Sequence, residues 1–222
     1  MIRLFHRLLD LIYPPKCVFC GKLLQENETD ICRKCRVILP EFSQKTINGE
    51  FFKKCWSVYE YDTEVRESVL RYKFSGMQQY SEAYGKLIAM MLLREKVSFD
   101  VLTWVPISEK RRRKRGYDQG HLLAQAVAKE LGVSCIRTLR KITDNQAQSS
   151  IGGPAARRAN VMGAYRPVSP EHFRSKRVLL IDDVITTGAT LSECSRVLLT
   201  AGAERVECAT LAATQISDRK KQ

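Results

Sequence analysis

Residues 178–190, with the sequence VLLIDDVITTGAT, restrict the fold of this chain more than any other segment. The first four residues are apolar and have the length and composition of a central strand in a parallel sheet. Asp182 and Asp183 come directly after this run. Because ligands bind at the carboxyl ends of the strands in open α/β sheets, both carboxylates are predicted to lie at a ligand-binding edge.

The turn that follows the two acids is predicted to bind phosphate. Gly188 permits a tight turn, and the backbone amides and threonine hydroxyls around it can surround a phosphate group. A helix is predicted to begin here, and the positive end of its dipole adds to the attraction. Two acids beside such a turn suit a sugar phosphate with a divalent ion. The open alternative is that Thr186 and Thr190 only cap a helix.

Two other nucleotide-binding motifs are missing from the sequence. An apolar strand ending in Asp-Asp also holds metal in nucleotide hydrolases, but those proteins need a G-x-x-x-x-G-K-[ST] loop. The chain contains neither that loop nor a G-x-G-x-x-G dinucleotide fingerprint. The threonine-rich turn therefore carries the ligand-binding prediction.

From residue 55 onward, strand-like and helix-like segments alternate. Gly132 is expected to stop the third of four helices. The alternation predicts an α/β fold with a wound, mostly parallel sheet. Strands are predicted at 55–61, 101–105, 133–136, 164–166, 178–181 and 206–211, and helices at 64–74, 80–94, 119–131 and 190–200.

The N-terminal part of the chain carries a predicted zinc site. Four of the eight cysteines form two C-x-x-C pairs separated by eleven residues: Cys17, Cys20, Cys32 and Cys35. Two such turns can bring four thiolates around one tetrahedral Zn²⁺, and Gly21 suits the tight turn after the first pair. Disulfides and a redox C-x-x-C are the alternatives. The first is weakened because no secretion signal is recognisable, and the second because two pairs occur together with no strand before them. A closed site of four thiolates has no open position, so the zinc is predicted to be structural.

The other four cysteines are scattered singly along the chain. They are expected to be buried as small apolar residues. These residues are Cys55, Cys135, Cys194 and Cys208.

Residues 1–13, MIRLFHRLLDLIY, resemble a signal peptide only superficially. Charged residues such as Arg3 and Asp10 interrupt its apolar core. Leucines at helical spacing predict a short amphipathic helix that ends before Pro14, with packing against the protein as the expected use and loose membrane contact as the alternative. No stretch approaches the ~18 to 20 apolar residues of a membrane span, so the chain is expected to be cytoplasmic.

The positive charge of the chain is concentrated in one third of its length. The formal net charge is +13, and residues 105–177 contain 16 basic and 5 acidic residues, a net +11. Such a region attracts phosphate in nucleic acid, in a metabolite or at a membrane surface, unless it is only a solvated basic face. The candidate nucleic-acid contacts are Arg111, Arg112, Arg113, Lys114 and Arg115.

Several motifs together carry a resemblance to a known family. The segment 178–190 resembles the phosphoribosyl-pyrophosphate signature of type I phosphoribosyltransferases, which has two acids followed by T-T-G-x-T. With the cysteine module in front, the chain resembles the ComF family of competence proteins over nearly its full length. Further agreement comes from Tyr72-Lys73-Phe74, Val105-Pro106-Ile107-Ser108, Arg115-Gly116-Tyr117-Asp118-Gln119, Thr143-x-x-Gln146 and Arg157-x-x-Asn160.

The resemblance implies two domains and a set of binding residues. Residues 1–54 would form the N-terminal helix and zinc ribbon, and residues 55–222 a phosphoribosyltransferase-fold domain. Phosphoribosyl pyrophosphate would bind with Mg²⁺, and Asp182 and Asp183 would be the catalytic candidates, with Asp183 as a possible general base. The remaining candidates for the donor site are Ile185, Thr186, Thr187, Gly188, Ala189, Thr190, Pro106, Ile107, Ser108 and Lys73.

A loop-like segment, residues 140–164, would form a mobile hood over this site. The hood residues implied by the resemblance are Thr143, Gln146, Arg157 and Asn160. The alternative is an exposed linker without a role.

Three departures from the family pattern touch the acceptor side. Relatives usually have asparagine where Asp118 stands and leucine where Ser149 stands, and residues 152–154 (Gly-Gly-Pro) lengthen the following spacing. The segment from Asp182 to Thr190 is intact.

Three hypotheses of function follow, and the sequence leaves them open. The first is an enzyme that transfers ribose 5-phosphate to an unknown nitrogen acceptor, as amidophosphoribosyltransferases do. The second is a protein of the DNA-uptake machinery that binds single-stranded DNA and uses phosphoribosyl pyrophosphate as a ligand or switch. The third is a regulator that binds the ligand and leaves it intact. The oligomeric state is not predicted.

Overall fold

A computed structural model of the chain describes residues 14–42, 44, 46–144 and 154–214. Its centre is a five-stranded sheet in the order β1-β2-β7-β6-β3. All neighbouring strands pair in parallel except β1 and β2, which are antiparallel. The strands are β1 (Thr46–Ile47), β2 (Cys55–Glu60), β3 (Val101–Trp104), β6 (Arg177–Ile185) and β7 (Arg205–Ala213). The predicted α/β class is confirmed.

Helices cover both faces of this sheet. The sequence-predicted helices correspond to α2 (Thr63–Phe74), α3 (Tyr80–Arg94), α5 (Gln119–Leu131) and α7 (Ala189–Thr200). Gly132, with φ of 66°, caps the C-terminus of α5 as predicted. Leu179, Leu180 and Ile181 of β6 are fully buried because helices pack against both sides of this central strand. A strand in that position is a continuous apolar run rather than an alternating one.

Two of the predicted strands are not strands of the central sheet. Residues 133–136 do not form a ladder: of these four residues, Cys135 alone makes a bridge, a parallel one to Leu102. The predicted strand 164–166 is β5 (Tyr165–Pro167), which pairs antiparallel with β4 (Leu139–Lys141) in a separate two-stranded sheet.

The basic run, for which no helix was predicted, forms the helix α4 (Glu109–Arg115). Ser108 caps its N-terminus by accepting a hydrogen bond from the amide of Arg111 at 3.3 Å, and Gly116 follows its last residue. Each of the seven residues of α4 is at least partly exposed. A Ser before the helix and a Gly after it are the ordinary start and stop signals of a helix, and here they outweigh the repulsion between like charges.

The predicted hood segment, 140–164, is only partly a loop. It begins in β4 and ends with the helix α6 (Pro154–Val161). Residues 145–153, which include Gln146 and Ser149, lie outside the described residues. The loop predicted from the composition of this segment is therefore wrong at both ends, where the structure has a strand and a helix.

The cysteine-rich N-terminal part contacts the sheet directly. The helix α1 (Arg33–Ile38) belongs to this part, and Phe42 then donates a backbone hydrogen bond of 3.0 Å to Val58 of β2. The edge strand β1 pairs with β2 across the predicted domain boundary at residue 54, which stays a prediction. The predicted helix at 1–13 lies outside the described residues.

Each helix that the structure describes is too short or too polar to span a bilayer.

Candidate functional site

Asp182 and Asp183 lie within β6 rather than after it. The strand continues to Ile185 because β7 is also longer than predicted, and Val184 and Ile185 pair with Ala212 and Ala213. Successive side chains of a strand point to opposite faces, so the two acids serve different sides of the sheet. The prediction that the strand ends before the acids is wrong, but the acids still precede the turn.

Asp183 forms an ion pair with a lysine from a distant helix. The distance from Lys73 Nζ to Asp183 Oδ1 is 2.7 Å, and Asp183 is 3% exposed. Burial alone would lower the pKa of Lys73, but the charge and hydrogen bond of Asp183, together with the nearby charge of Asp182, outweigh this effect and the pKa is raised. Asp183 Oδ2 is shielded from solvent and has no hydrogen-bond partner among the described residues. A buried carboxylate oxygen without a partner is unfavourable and is typical of a site that receives a ligand.

Asp182 has a different electrostatic environment. One of its oxygens accepts a hydrogen bond from the amide of Asp183 at 2.9 Å. The surrounding protein excludes water from this half-buried carboxyl group, and the nearby charge of Asp183 adds repulsion. Together these effects raise the pKa of Asp182 to about 8. The two acids therefore differ in their hydrogen bonds as well as in orientation.

The turn after β6 leads directly into the helix α7. Gly188 caps this helix with φ of 73°, a left-handed conformation in which a side chain would be strained. The backbone carbonyls of Ile185 and Thr186 accept hydrogen bonds from Thr214, through its amide at 3.0 Å and its hydroxyl at 3.1 Å. These contacts hold the start of the turn against the residue that follows β7. The first turn of α7 contains no acidic residue, so its dipole can attract an anion.

The predicted pyrophosphate loop, Pro106 to Ser108, follows β3 and is held by Asp118. Asp118 Oδ2 accepts hydrogen bonds of 3.4 Å from the amide of Ile107 and from Trp104 Nε1. Asp118 Oδ1 accepts a hydrogen bond of 3.2 Å from the amide of His121 and thereby caps α5. Burial raises the pKa of Asp118. The place of Asp118 just before a predicted helix is the sequence signal of an N-cap, a role that was not predicted for it.

Ser108 also contacts a residue that the sequence analysis missed. Its hydroxyl donates a hydrogen bond of 2.5 Å to Asp144 Oδ1. Lys110 Nζ is 3.6 Å from Asp144 Oδ2, and Arg111 Nε is 3.5 Å from Oδ1. The hydrogen bond from Ser108 lowers the pKa of Asp144, with help from the two basic residues. Nothing in the local sequence links Asp144 to a loop 36 residues earlier.

The five basic residues of α4 have different surroundings. Arg115 donates to Gln119 Oε1, and its guanidinium lies 5.1 Å from the centre of the Phe74 ring. Burial lowers the pKa of Arg115, against the opposing effect of Asp183. Arg112 is exposed and pairs with Glu109 at 2.8 Å. Arg113 and Lys114 are also exposed, so Arg112, Arg113 and Lys114 form the outward face of the helix.

The predicted hood residues are only partly described. Thr143 is exposed and Asn160 is half-buried in α6. Gln146 and the side chain of Arg157 lie outside the described residues. The predicted set of four therefore stays a prediction.

The four cysteines of the N-terminal part meet at one point. All four sulfur atoms lie within 4.8 Å of one another, and Cys20 Sγ is 3.7 Å from Cys32 Sγ. With a Zn–S distance of about 2.3 Å, the edge of a ZnS₄ tetrahedron is about 3.8 Å, so the donor set fits zinc. The amide of Gly21 donates to the carbonyl of Cys17 at 2.8 Å, which closes the first turn. This is a structural zinc site.

Three of the other cysteines are buried as predicted. Cys55, Cys194 and Cys208 are each 0% exposed, and burial raises the pKa of all three thiols. Cys135 is half-buried.

Comparisons with known proteins agree with both parts of the chain. Residues 8–46 match the double zinc ribbon domain, and residues 118–222 match the phosphoribosyl transferase domain. The chain is 26% identical over 200 residues to competence protein F of Haemophilus influenzae, which covers 87% of this chain and 82% of the relative. It is 28% identical to competence protein ComFC of Bacillus subtilis, with 84% and 72% covered. The chain is a ComF family protein.

Other relatives have a related name. DNA utilization protein YhgH of Escherichia coli K12 is 25% identical to this ComF protein, with 86% of the chain and 87% of the relative covered. The present chain folds as a type I phosphoribosyltransferase domain preceded by a zinc ribbon.

Two solved structures are similar to part of the chain. The allosteric regulatory enzyme of purine biosynthesis is 25% identical, with a TM-score of 0.41, and covers 58% of this chain. The ComF protein spans 25% of that enzyme's length. The purine phosphoribosyltransferase of Pyrococcus horikoshii is 20% identical, with a TM-score of 0.37, and 63% and 79% of the two chains are covered.

Proposed function

We propose that this ComF protein binds phosphoribosyl pyrophosphate with Mg²⁺ and acts in the uptake or processing of transforming DNA. The names of its relatives, which refer to competence and DNA utilization, support the cellular role. Ligand binding is supported above all by Asp183 Oδ2, which is shielded from solvent and has no partner among the described residues. This oxygen lies beside Lys73 and just before the turn of Gly188. The cytoplasm is the proposed location, because it keeps zinc-binding thiolates reduced.

Each part of the site suits one part of the ligand. The turn from Thr186 to Thr190 offers amides, hydroxyls and a helix N-terminus to the 5′-phosphate. Asp182 and Asp183 offer carboxylate oxygens to the ribose hydroxyls. The remaining contacts, from Lys73 and the loop of Pro106, Ile107 and Ser108, would hold the pyrophosphate.

Mg²⁺ suits this set of donors. It is usually bound through one or two carboxylates together with substrate phosphates. Asp183 Oδ2 has no hydrogen-bond partner among the described residues and can make such a contact, while Lys73 pairs with the other oxygen. When bound, the ion would screen the charge of the pyrophosphate.

Calorimetric titration of Mg²⁺ and phosphoribosyl pyrophosphate into the zinc-loaded protein tests this proposal. We expect binding by the wild type and its loss in the Asp182→Asn, Asp183→Asn double variant. The matched control is Glu171→Gln with Glu204→Gln, which removes two exposed carboxylates elsewhere and should bind normally. Absence of binding to folded, zinc-loaded wild type would overturn the proposal.

The second candidate function is phosphoribosyl transfer to a nitrogen acceptor. In this reaction the nitrogen forms a bond to the anomeric carbon, pyrophosphate leaves with the electron pair of the broken C–O bond, and the nitrogen loses a proton. Asp182 favours this candidate, because its raised pKa of about 8 suits a group that accepts a proton near neutral pH. Ammonia, glutamine and nucleobases are the acceptors to test. Release of pyrophosphate that requires both Mg²⁺ and one of these acceptors would establish transfer. Binding without turnover would instead favour a regulator.

The outward face of α4 supports a contact with single-stranded DNA. Arg112, Arg113 and Lys114 are exposed and close in sequence, as expected for contacts with a phosphate backbone. Fluorescence anisotropy with a labelled oligonucleotide should give an affinity that falls steeply with salt. Replacing these three residues by glutamine should reduce that salt dependence. Affinity independent of salt would argue against the contact.

A further inference from the structure

The helix α2 joins the zinc ribbon to the acidic site. On one side, Ser68 and Arg71 donate hydrogen bonds to backbone carbonyls of the first C-x-x-C turn. Ser68 Oγ and Arg71 Nη2 both reach the carbonyl of Val18, the second at 3.2 Å, and Arg71 also reaches the carbonyl of Phe19. Val18 and Phe19 are the two residues between Cys17 and Cys20, so these contacts depend on the shape of the zinc-binding turn.

The other side of α2 carries Lys73. Residues two positions apart in an α-helix are separated by about 200° around its axis, so Arg71 and Lys73 point in nearly opposite directions. Arg71 contacts the zinc-binding turn, and Lys73 contacts Asp183 at 2.7 Å. Rotation or translation of α2 that releases the first contact therefore also displaces the second.

Packing around α2 leaves it little freedom. Tyr72 is fully buried, and its hydroxyl donates to the carbonyl of Gln119 at 2.7 Å. The Phe19 ring of the zinc-binding turn packs edge-on against Tyr59, with 5.3 Å between ring centres. Ser68 Oγ is also 2.5 Å from the hydroxyl of Tyr84. The turn, the helix and the sheet are thus in continuous contact.

We propose that the zinc-binding turn positions Lys73 through Arg71 and Ser68, so that the donor site is fully assembled only when the four cysteines hold zinc. Arg71 is a positioning residue in this arrangement. Metal binding supplies the free energy that folds a small cysteine module, and without it the carbonyls of Val18 and Phe19 lose their fixed direction. Loss of zinc would then loosen α2 and weaken the pair between Lys73 and Asp183.

The alternative is that the ribbon stabilises the whole domain without a particular effect on the site. Hydrogen–deuterium exchange distinguishes the two, because it does not depend on any ligand. We expect removal of zinc by a chelator to raise exchange in residues 63–74 and 182–188 while α5 stays protected. Unchanged exchange in 182–188, or a uniform rise that includes α5, would overturn the proposal.

A pair of variants isolates the role of Arg71. Arg71→Gln should retain zinc and raise exchange in residues 182–188 by about tenfold. The control is Arg66→Gln, an exposed arginine on the same helix, which should change neither. Ser68→Ala removes a second contact with the same turn and should act in the same direction if Arg71→Gln fails to fold. Normal exchange in folded, zinc-loaded Arg71→Gln would contradict the proposal.

A second experiment, which rests on the proposed function, measures the affinity of the protein for Mg²⁺ and phosphoribosyl pyrophosphate. Arg71→Gln should weaken binding about tenfold in the wild type but less than about twofold in a Lys73→Met background, since Arg71 acts through Lys73. Additive losses would show an independent structural effect and count against the proposal. If the wild type does not bind, the proposed function fails, and the exchange measurements still decide whether zinc controls the position of α2.

Discussion

Lys73 and Asp183 form an ion pair of 2.7 Å between residues 110 positions apart in the chain. The side chain of Lys73 is 23% exposed and that of Asp183 is 4% exposed, so the pair is largely removed from water. It neutralises one of two adjacent acids in the centre of the sheet and leaves Asp183 Oδ2 available to a ligand. The pair therefore contributes to the stability of the domain and also leaves one carboxylate oxygen of the site available for ligand binding.

Replacing Lys73 by methionine should lower the free energy of unfolding by about 3 kcal/mol, because it leaves a buried carboxylate without its partner. Urea denaturation monitored by tryptophan fluorescence measures this change. Adding Asp183→Asn to the variant should restore part of the loss, since the unpaired charge is then removed. Lys114→Met, an exposed lysine on α4, is the control and should change stability by less than about 0.5 kcal/mol. A similar loss in both single variants would contradict a special role for the pair.

The raised pKa of Asp182 makes stability depend on pH. The folded protein holds this proton up to a pKa of about 8, whereas the unfolded chain releases it near the ordinary value of 3.8. Between these values the folded state binds more protons, so the contribution of Asp182 to stability is present at low pH and is lost as the pH rises to about 8. Asp182→Asn removes this dependence and should be more stable than the wild type at pH 8, by about 2 kcal/mol, but not at pH 4.

The comparison of wild type and Asp182→Asn by urea denaturation between pH 4 and pH 8.5 checks this sign. The measurement is made without Mg²⁺, since a bound cation favours the ionised carboxylate. A difference in stability that is the same at every pH would mean that Asp182 does not titrate in this range.

Removal of one zinc ligand should destabilise the protein and release the metal. Cys32 is the most informative choice, because its sulfur also accepts a hydrogen bond from the amide of Cys35 and caps α1. Cys32→Ser should lose its zinc and lower the melting temperature by about 10 °C, which corresponds to about 3 kcal/mol in a chain of this length. Cys135→Ser changes a half-buried cysteine outside the cluster and should keep both zinc and melting temperature. Full zinc content in Cys32→Ser would show that the four thiolates are not the ligands.

The sequence predicted the elements whose signals are local. The apolar run before Asp182, the glycine that ends α5 and the paired C-x-x-C motifs each depend on neighbouring residues, and the structure contains all three features. The basic helix α4 was not predicted, although Ser108 and Gly116 are visible start and stop signals.

Other features could not be predicted from local patterns. The extension of β6 past Asp183 requires the ladder with β7, and the pair between Lys73 and Asp183 requires the whole fold. The contact between Ser108 and Asp144 likewise joins two segments that have no common pattern. Such contacts are set by tertiary packing, which a single sequence does not reveal.

Asp144 is expected to compete with the ligand for Ser108. Its carboxylate accepts the hydrogen bond of Ser108 and lies near Lys110 and Arg111, as an anionic phosphate would. Asp144→Asn removes the negative charge and should strengthen the binding of Mg²⁺ with inorganic pyrophosphate about threefold, a small change because the group is exposed. Glu109→Gln, which removes an exposed carboxylate from the same helix, is the control for net charge. Calorimetric titration of both variants measures the difference, and equal effects would point to net charge alone.

Asp118 should not tolerate replacement by asparagine, even though asparagine is usual at this position in the family. Its Oδ2 accepts hydrogen bonds from two donors, the amide of Ile107 and Trp104 Nε1, while Oδ1 accepts one from the amide of His121. An asparagine has one acceptor oxygen, so its NH₂ group would face donors on one side or the other. We expect Asp118→Asn to lower the free energy of unfolding by about 1 to 2 kcal/mol. Asp62→Asn is the matched control, because Asp62 caps α2 through one oxygen, Oδ1, which accepts from the amide and the hydroxyl of Thr63, and asparagine is an equally good N-cap. Urea denaturation of both variants separates these cases, and equal stability in the two would mean that the contacts of Asp118 with the pyrophosphate loop contribute nothing.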